Sequence, residues 1–304
     1  MSLFVDNTKR IYIIFLSIAI FYNIFYNLYI LYIIGAFMFT KSEIHKQLDK
    51  LRAPKNSIVL VHSSLKAVGE TEGRGEGLLD ALIEYFTADG GLLCIPTHTW
   101  ANIDDESKIT LDFANPTTCI GTLPNIAAMH TNAIRTLHPT HSMAVFGDAE
   151  KAKEFALGED IHITPAHPEG CYGKIYKNDG YIMLVGVSHN RNTYLHCVEE
   201  MLGIENRIAS EAKNATVRHK NGDIEKRIMH PHKAVGIGDV SLRYPKYEDA
   251  FRYHYAIVDG KIGNADVQLC SARKMKEVME LIYKRSNGAE LFADDIPIDK
   301  SLYM

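Results

Sequence analysis

The 304-residue sequence has no Cys-x-x-Cys pair, no run of Lys or Arg, and no Gly-Lys-Ser/Thr ending to its glycine-rich stretches. Its five cysteines, Cys94, Cys119, Cys171, Cys197 and Cys270, are odd in number and far apart. That spacing speaks against a disulfide framework or a zinc ribbon and for a reducing compartment, so a cytoplasmic location is expected. With 33 Lys plus Arg against 37 Asp plus Glu, the formal charge is -4. No surface for counterion release follows from this balance, and a nucleic-acid partner is not expected. The 46% hydrophobic content is that of an ordinary globular chain, which disfavours disorder and a multi-span membrane protein. Partners should be small molecules or copies of the same chain, so a homodimer stays open.

One segment departs from this picture. From Ile11 to Thr40 there is no charged residue, and Ile11 to Met38 is almost wholly apolar or aromatic. The run is long enough to cross a bilayer as one helix, with Lys9 and Arg10 on its N-terminal flank. Against an anchor stands its composition: between Ile11 and Ile34, nineteen of twenty-four residues are Ile, Tyr, Phe or Asn, the products of AT-rich codons. Two expectations follow for residues 1–37, a single-span anchor or translation from upstream of a true start at Met38. Membrane association depends on the first. Residues 38–304 are expected to hold the chemistry.

Downstream, Ser42 and Glu43 can open a short helix with Ile44, Leu48 and Leu51 on one face, stopped by Pro54. Ser57–Val61 and Gly91–Ile95 read as buried strands around a helix from Gly77 to Phe86, a βαβ unit. A third strand, Tyr181–Val187, leads into a helix from about Thr193 to Leu202, and a last helix covers Ser271–Lys284. Asn221-Gly222 and Asp259-Gly260 signal hairpins. The fold class expected is α/β: a central, mostly parallel sheet with flanking helices and a C-terminal, β-hairpin-rich subdomain. Ligands in such sheets sit beyond the carboxyl ends of the strands, which here are His62-Ser63-Ser64, Pro96 to Thr99, and Ser188 to Thr193.

His196 and Glu199 stand three apart on the predicted helix and share a face. A histidine oriented by a carboxylate is a general base candidate, although the spacing alone more often marks an exposed helix pair or a capped core histidine. Glu200 points about a third of a turn away and is the poorer partner. The loop from His62 through Ser63, Ser64 and Leu65 is followed by Gly69, Gly73, Gly75 and Gly77. Its N–H groups could hold a phosphate or polarise a carbonyl oxygen. Fourteen histidines invite a metal reading, but no pair sits i, i+4 on a clear helix and prolines place several in loops, so no metal is expected. Cys197 is read as packing.

Taken together, Val61-His-Ser-Ser-Leu65, Pro96-Thr-His-Thr99, Arg135-Thr-Leu-His-Pro139 with Ser142 and Gly147, and Gly186 through His196 to Glu199 resemble the antibiotic N-acetyltransferase family. Its best-known members are the aminoglycoside 3-N-acetyltransferases, and the resemblance runs from about Phe39 to Phe292. It implies acetyl-coenzyme A as donor and the 3-amino group of a 2-deoxystreptamine ring as acceptor, without a metal. Carried onto this sequence, it implies His196 with Glu199 as the base system. It implies Ser63, Ser64, Leu65, Thr97 and Thr99 against the pantetheine and thioester, with Arg135 and Ser142 as further coenzyme contacts. Asp104, Asp105 and Glu106 form an acidic loop in the region of the family's sugar site. His141 and His167–Tyr172 match one branch only, which keeps another amino sugar or cellular amine open as acceptor. A Ser-His-Glu hydrolase using Ser63 or Ser64, and a membrane-anchored binding protein, are the alternatives of different class.

Overall fold

The computed structural model describes residues 16, 18, 20–26, 38–233, 239–288 and 297–304. Most of the apolar run Ile11–Met38 therefore lies outside the described residues, among which no helix is long and apolar enough to cross a membrane.

Helix α1 (Lys41–Leu51) opens on a capping box two residues earlier than Ser42 suggests. Thr40 accepts from the Glu43 N–H, and the Glu43 carboxylate accepts from the Thr40 N–H at 2.8 Å. The helix ends at Arg52, in the left-handed region with φ 56°, before Pro54 is reached. Its buried residues are Ile44, Leu48 and Leu51, each contributing roughly 1.5–3 kcal/mol by leaving water.

The main sheet is built from β1 (Ile58–Ser63), β2 (Leu92–Pro96), β4 (Ile134–Arg135), β5 (Met143–Phe146), β6 (Tyr181–Val185), β9 (Ile257–Ile262) and β10 (Ala265–Ser271). Their order is β4-β5-β2-β1-β6-β10-β9. The three central strands β2, β1 and β6 are parallel, and antiparallel strands extend the sheet on both sides. Alternation divides the core: Val59 and Val61 face one layer with α1 and α3 (Arg74–Thr87), while Leu60 faces the other. That second layer holds α6 (Cys171–Lys177), α7 (Tyr194–Met201) and α9 (Ala272–Ser286), whose Met275, Val278, Met279 and Ile282 are all buried. Between these helices lie α2 (Leu65–Val68), α4 (Thr122–Met129), α5 (Ala149–Ala156) and α8 (Glu248–Tyr253).

Both C-terminal hairpins form, and they serve different sheets. Strands β7 (Lys213–Arg218) and β8 (Ile224–Met229) join β3 (Leu111–Asp112) in a separate three-stranded sheet. Strands β9 and β10 become the edge of the main sheet. The turn of this second hairpin is Gly263-Asn264, not Asp259-Gly260, which lies inside β9. Gly260 is there for a different reason: a Cβ would come within 2.8 Å of Leu51 Cδ1, because α1 packs directly on β9. Gly263, with φ 59°, makes the turn, and its N–H donates to Gln47 Oε1 at 2.8 Å.

Candidate active site

Beyond the carboxyl ends of β1, β2 and β6 opens a cleft of about 1010 Å³. Ser63, Ser64 and Leu65 line it from β1, His98 from the end of β2, and Asn190 to Thr193 from the loop after β6. His196 projects into it from the first turn of α7.

His196 and Glu199 meet through a third group. Their direct separation, Nδ1 to Oε2, is 3.6 Å, an ion-pair distance too long for a hydrogen bond. The Tyr244 hydroxyl stands between them, donating to Glu199 Oε2 at 2.6 Å and lying 2.7 Å from His196 Nδ1. A phenol has one proton; with that proton on Glu199, its oxygen accepts from Nδ1–H. Nε2 is then the nitrogen left with a lone pair for the cleft. Burial first, and then the Glu199 charge, push the Tyr244 phenol far up, so it stays a hydroxyl. Arg207 closes the chain by donating from Nε to Glu199 Oε1 at 2.7 Å. Burial alone would raise the Glu199 carboxyl, but the nearby His196 ring, the Arg207 charge and the Tyr244 hydroxyl together hold it below its ordinary range. Neither Tyr244, on a 3₁₀ segment Val240–Tyr247, nor Arg207, in the loop after α7, carries a motif that sequence reasoning could have used.

Glu200 turns away and accepts from Thr164 Oγ1 at 2.6 Å and from the Ala166 N–H at 3.2 Å. Cys197 is buried, with Sγ 4.0 Å from the His167 carbonyl.

The residues expected around the coenzyme divide into two groups. Ser63, Ser64 and Leu65 are on the cleft wall. Ser64 is committed to the loop itself, since its N–H donates to the Val185 carbonyl at 2.9 Å and its hydroxyl accepts from the Ala67 N–H at 3.3 Å. Its backbone N–H is thereby used within the loop, while its hydroxyl proton is not committed by these bonds. Thr97, Thr99, Arg135 and Ser142 do not line the cleft. Arg135 Nε donates to Thr97 Oγ1 and Ser142 Oγ, both at 3.2 Å, and its Nη2 to the Thr97 carbonyl at 3.1 Å. Thr99 Oγ1 donates to the Pro139 carbonyl at 2.7 Å, and its N–H to Thr140 at 2.9 Å. These bonds tie the end of β2 to the His138–Ser142 stretch, so they position His141 at the cleft, and their polar atoms are consumed in doing so. In the acidic loop Asp104 pairs with Lys213 at 3.0 Å and Asp105 with Lys108 at 2.9 Å, while Glu106 is exposed.

Among the described residues no group of three or more His, Cys, Asp or Glu side chains is arranged to hold a metal ion. Three cations, Lys66, Arg191 and Lys233, line the cleft, with Asp239 as the carboxylate among its described lining.

The sequence matches a family model described as aminoglycoside 3-N-acetyltransferase over residues 60–284. It is 30% identical over 167 residues to aminoglycoside N(3)-acetyltransferase IV of a Salmonella species, covering 53% of this chain and 59% of that relative. The match thus spans less than two thirds of the Salmonella protein. The crystal structure of YokD from Bacillus subtilis superposes with a TM-score of 0.71 at 19% identity, covering 83% of this chain and 96% of YokD. AAC-IIIb, crystallised as a binary complex with CoASH, superposes with a TM-score of 0.69 at 17% identity, covering 81% of this chain and 97% of that one. At these identities the structural likeness establishes a shared fold.

Proposed function

Because the chain belongs to the aminoglycoside 3-N-acetyltransferase family, we propose that it moves acetyl from acetyl-coenzyme A to the 3-amino group of a 2-deoxystreptamine ring, or to the amine of a related amino sugar. The observation that carries this reading is the chain His196–Tyr244–Glu199–Arg207 opening on a cleft at the strand ends. Acetyl-coenzyme A, when bound, supplies an activated thioester. The cleft suits it in size and in charge, since Lys66, Arg191 and Lys233 are complementary to phosphates.

An ammonium is no nucleophile until it loses a proton. His196 takes that proton on Nε2, and the positive charge that results is met through Nδ1–H by the Tyr244 oxygen and, behind it, the buried Glu199 carboxylate. Arg207 keeps that carboxylate ionised and fixed. Transfer is direct, from donor to amine, so no side chain is acylated. A Ser-His-Glu hydrolase would need a serine hydroxyl on the histidine. Among the described residues neither Ser63 nor Ser64 makes such a bond, and Ser64 caps α2.

The test is thiol release from acetyl-coenzyme A by the full chain with amines from both classes, beside His196→Ala. The expected loss in kcat is about 10²-fold or more, with the KM for acetyl-coenzyme A retained. An undiminished rate in the variant would remove His196 from the role of base.

A further inference from the structure

Two histidines of the cleft wall are held by protein hydroxyls that fix which of their nitrogens carries the proton. His98 follows β2 and His141 lies just before β5; both line the cleft, with ring centroids 4.4 Å apart. Thr140 Oγ1 is 2.9 Å from His141 Nδ1. The other ring nitrogen near it, His138 Nδ1, is 3.5 Å away and already accepts from the N–H groups of Thr140 at 3.2 Å and His141 at 2.9 Å. The threonine proton therefore goes to His141 Nδ1, and the ring's own proton sits on Nε2. His98 Nε2 is 2.7 Å from the Tyr172 hydroxyl. Burial first keeps that phenol protonated, while the Thr193 hydroxyl bonds it in the sense that lowers its pKa, which is that of a donor. The phenol proton is thus left for His98 Nε2, and the imidazole proton sits on Nδ1.

Those two donors, Nε2–H of His141 and Nδ1–H of His98, make no hydrogen bond among the described residues, and neither nitrogen is one of the polar atoms sealed from solvent, as Nε2 of His62 is. Burial first, and then the neighbouring histidines, His196 among them, keep both rings neutral. A neutral imidazole N–H donates without giving up its proton, which suits an oxygen on which negative charge develops. The position suits as well. The His232 ring is 5.3 Å from His141 and 3.8 Å from His196 between centroids, so it stands between the pair and the base. In a tetrahedral adduct whose nitrogen touches the base and whose oxygen touches its donors, base and donors are roughly 6–8 Å apart, a span that one intervening ring fills.

We propose, resting on the acetyl-transfer reading, that His98 Nδ1–H and His141 Nε2–H form the oxyanion site for the thioester carbonyl of the donor. The amine freed by His196 bonds to the thioester carbon, and the carbonyl π pair moves onto the oxygen that the two N–H groups meet. That pair returns as the C–S bond breaks and coenzyme A leaves as a thiolate. The thiolate takes up the proton that the acylated nitrogen sheds, and His196 returns its own to solvent. Two measurements on the full chain test this. With acetyl-coenzyme A bound and no amine present, the infrared stretch of its carbonyl should move to higher wavenumber in His141→Leu than in the parent; an identical stretch would overturn the proposal. In steady-state thiol release with kanamycin and glucosamine, His141→Leu should lose about 10²-fold or more in kcat and keep the KM for acetyl-coenzyme A within about threefold. His141→Gln, whose amide N–H can stand in for Nε2–H, should recover part of that loss. Parental kcat in His141→Leu, or a change confined to the KM for the amine, would overturn the assignment. A parent that releases thiol with neither amine would overturn the acetyl-transfer reading, and the infrared comparison then decides the carbonyl site by itself. If His141→Leu does not fold, Thr140→Val removes only the hydroxyl that sets the tautomer and should lower kcat about tenfold; parental kcat there would overturn the proposal.

Discussion

The group hydrogen-bonded to Nδ1 of His196 is the hydroxyl of Tyr244, at 2.7 Å, and the carboxylate of Glu199 lies one bond further back. The residue three positions along the helix is thus the electrostatic end of a relay, and a residue 48 positions away is its first link.

Tyr244→Phe keeps the ring that packs edge-on against His196, at 5.0 Å between centroids, and removes only the hydroxyl. Nδ1–H then loses its acceptor, and Glu199 loses a donor. The expected result is a fall in kcat of about tenfold or more with little change in either KM, measured by steady-state thiol release. A variant with full kcat would show that Glu199 reaches His196 unaided.

Arg207→Met tests the far end of the chain. Glu199 is held below its ordinary range, so its contribution to stability is complete above that range and is lost as pH falls through the lowered value. Without Arg207, burial dominates and the carboxyl moves up. Acid unfolding should then begin at higher pH than in the parent protein, and the fold should lose about 3–5 kcal/mol at neutral pH. Chemical denaturation followed across pH 4 to 8 measures both; coincident curves for the two proteins would contradict the role given to Arg207.

Buried His62 imposes a second pH dependence. His62 is held by burial at about 3, against an ordinary 6.5, so the unfolded chain takes up a proton that the folded chain refuses. Stability is therefore full above the ordinary histidine value and declines as pH falls below it. Each such buried neutral histidine contributes a slope of up to about 1.4 kcal/mol per pH unit. His62→Gln should make the decline shallower by that amount between pH 6 and 5. An unchanged slope would mean that His62 is protonated in the folded protein.

Gly186 ends β6 with φ 64°, and a Cβ there would lie 2.3 Å from the Cβ of Ala67 in α2. Gly186→Ala combines the left-handed penalty with overpacking, for an expected loss of about 2–4 kcal/mol in thermal or chemical unfolding. Because α2 follows Ser63 and Ser64 at the cleft, the KM for acetyl-coenzyme A should rise as well. A variant of parental stability would show that α2 yields freely.

Several features were settled by the sequence alone, because they depend on near neighbours. Apolar runs gave β1, β2 and β6, helical spacing put Ile44, Leu48 and Leu51 on one face, and the i, i+3 interval brought His196 and Glu199 together on α7. Asp259-Gly260 was misread as a turn because glycine marks both turns and close backbone approaches, and only the seat of α1 on β9 tells them apart. The resemblance alone sets Arg135, Thr97 and Ser142 against the coenzyme. In the fold they bond one another and hold the His138–Ser142 stretch against the end of β2, a contact that no local pattern shows. The placement of Tyr244 and Arg207 beside His196 and Glu199 belongs wholly to the tertiary structure. Local periodicity fixes which residues share a face, but contacts between residues tens of positions apart are fixed only when the layers pack, and that packing decided which groups meet His196 and Glu199.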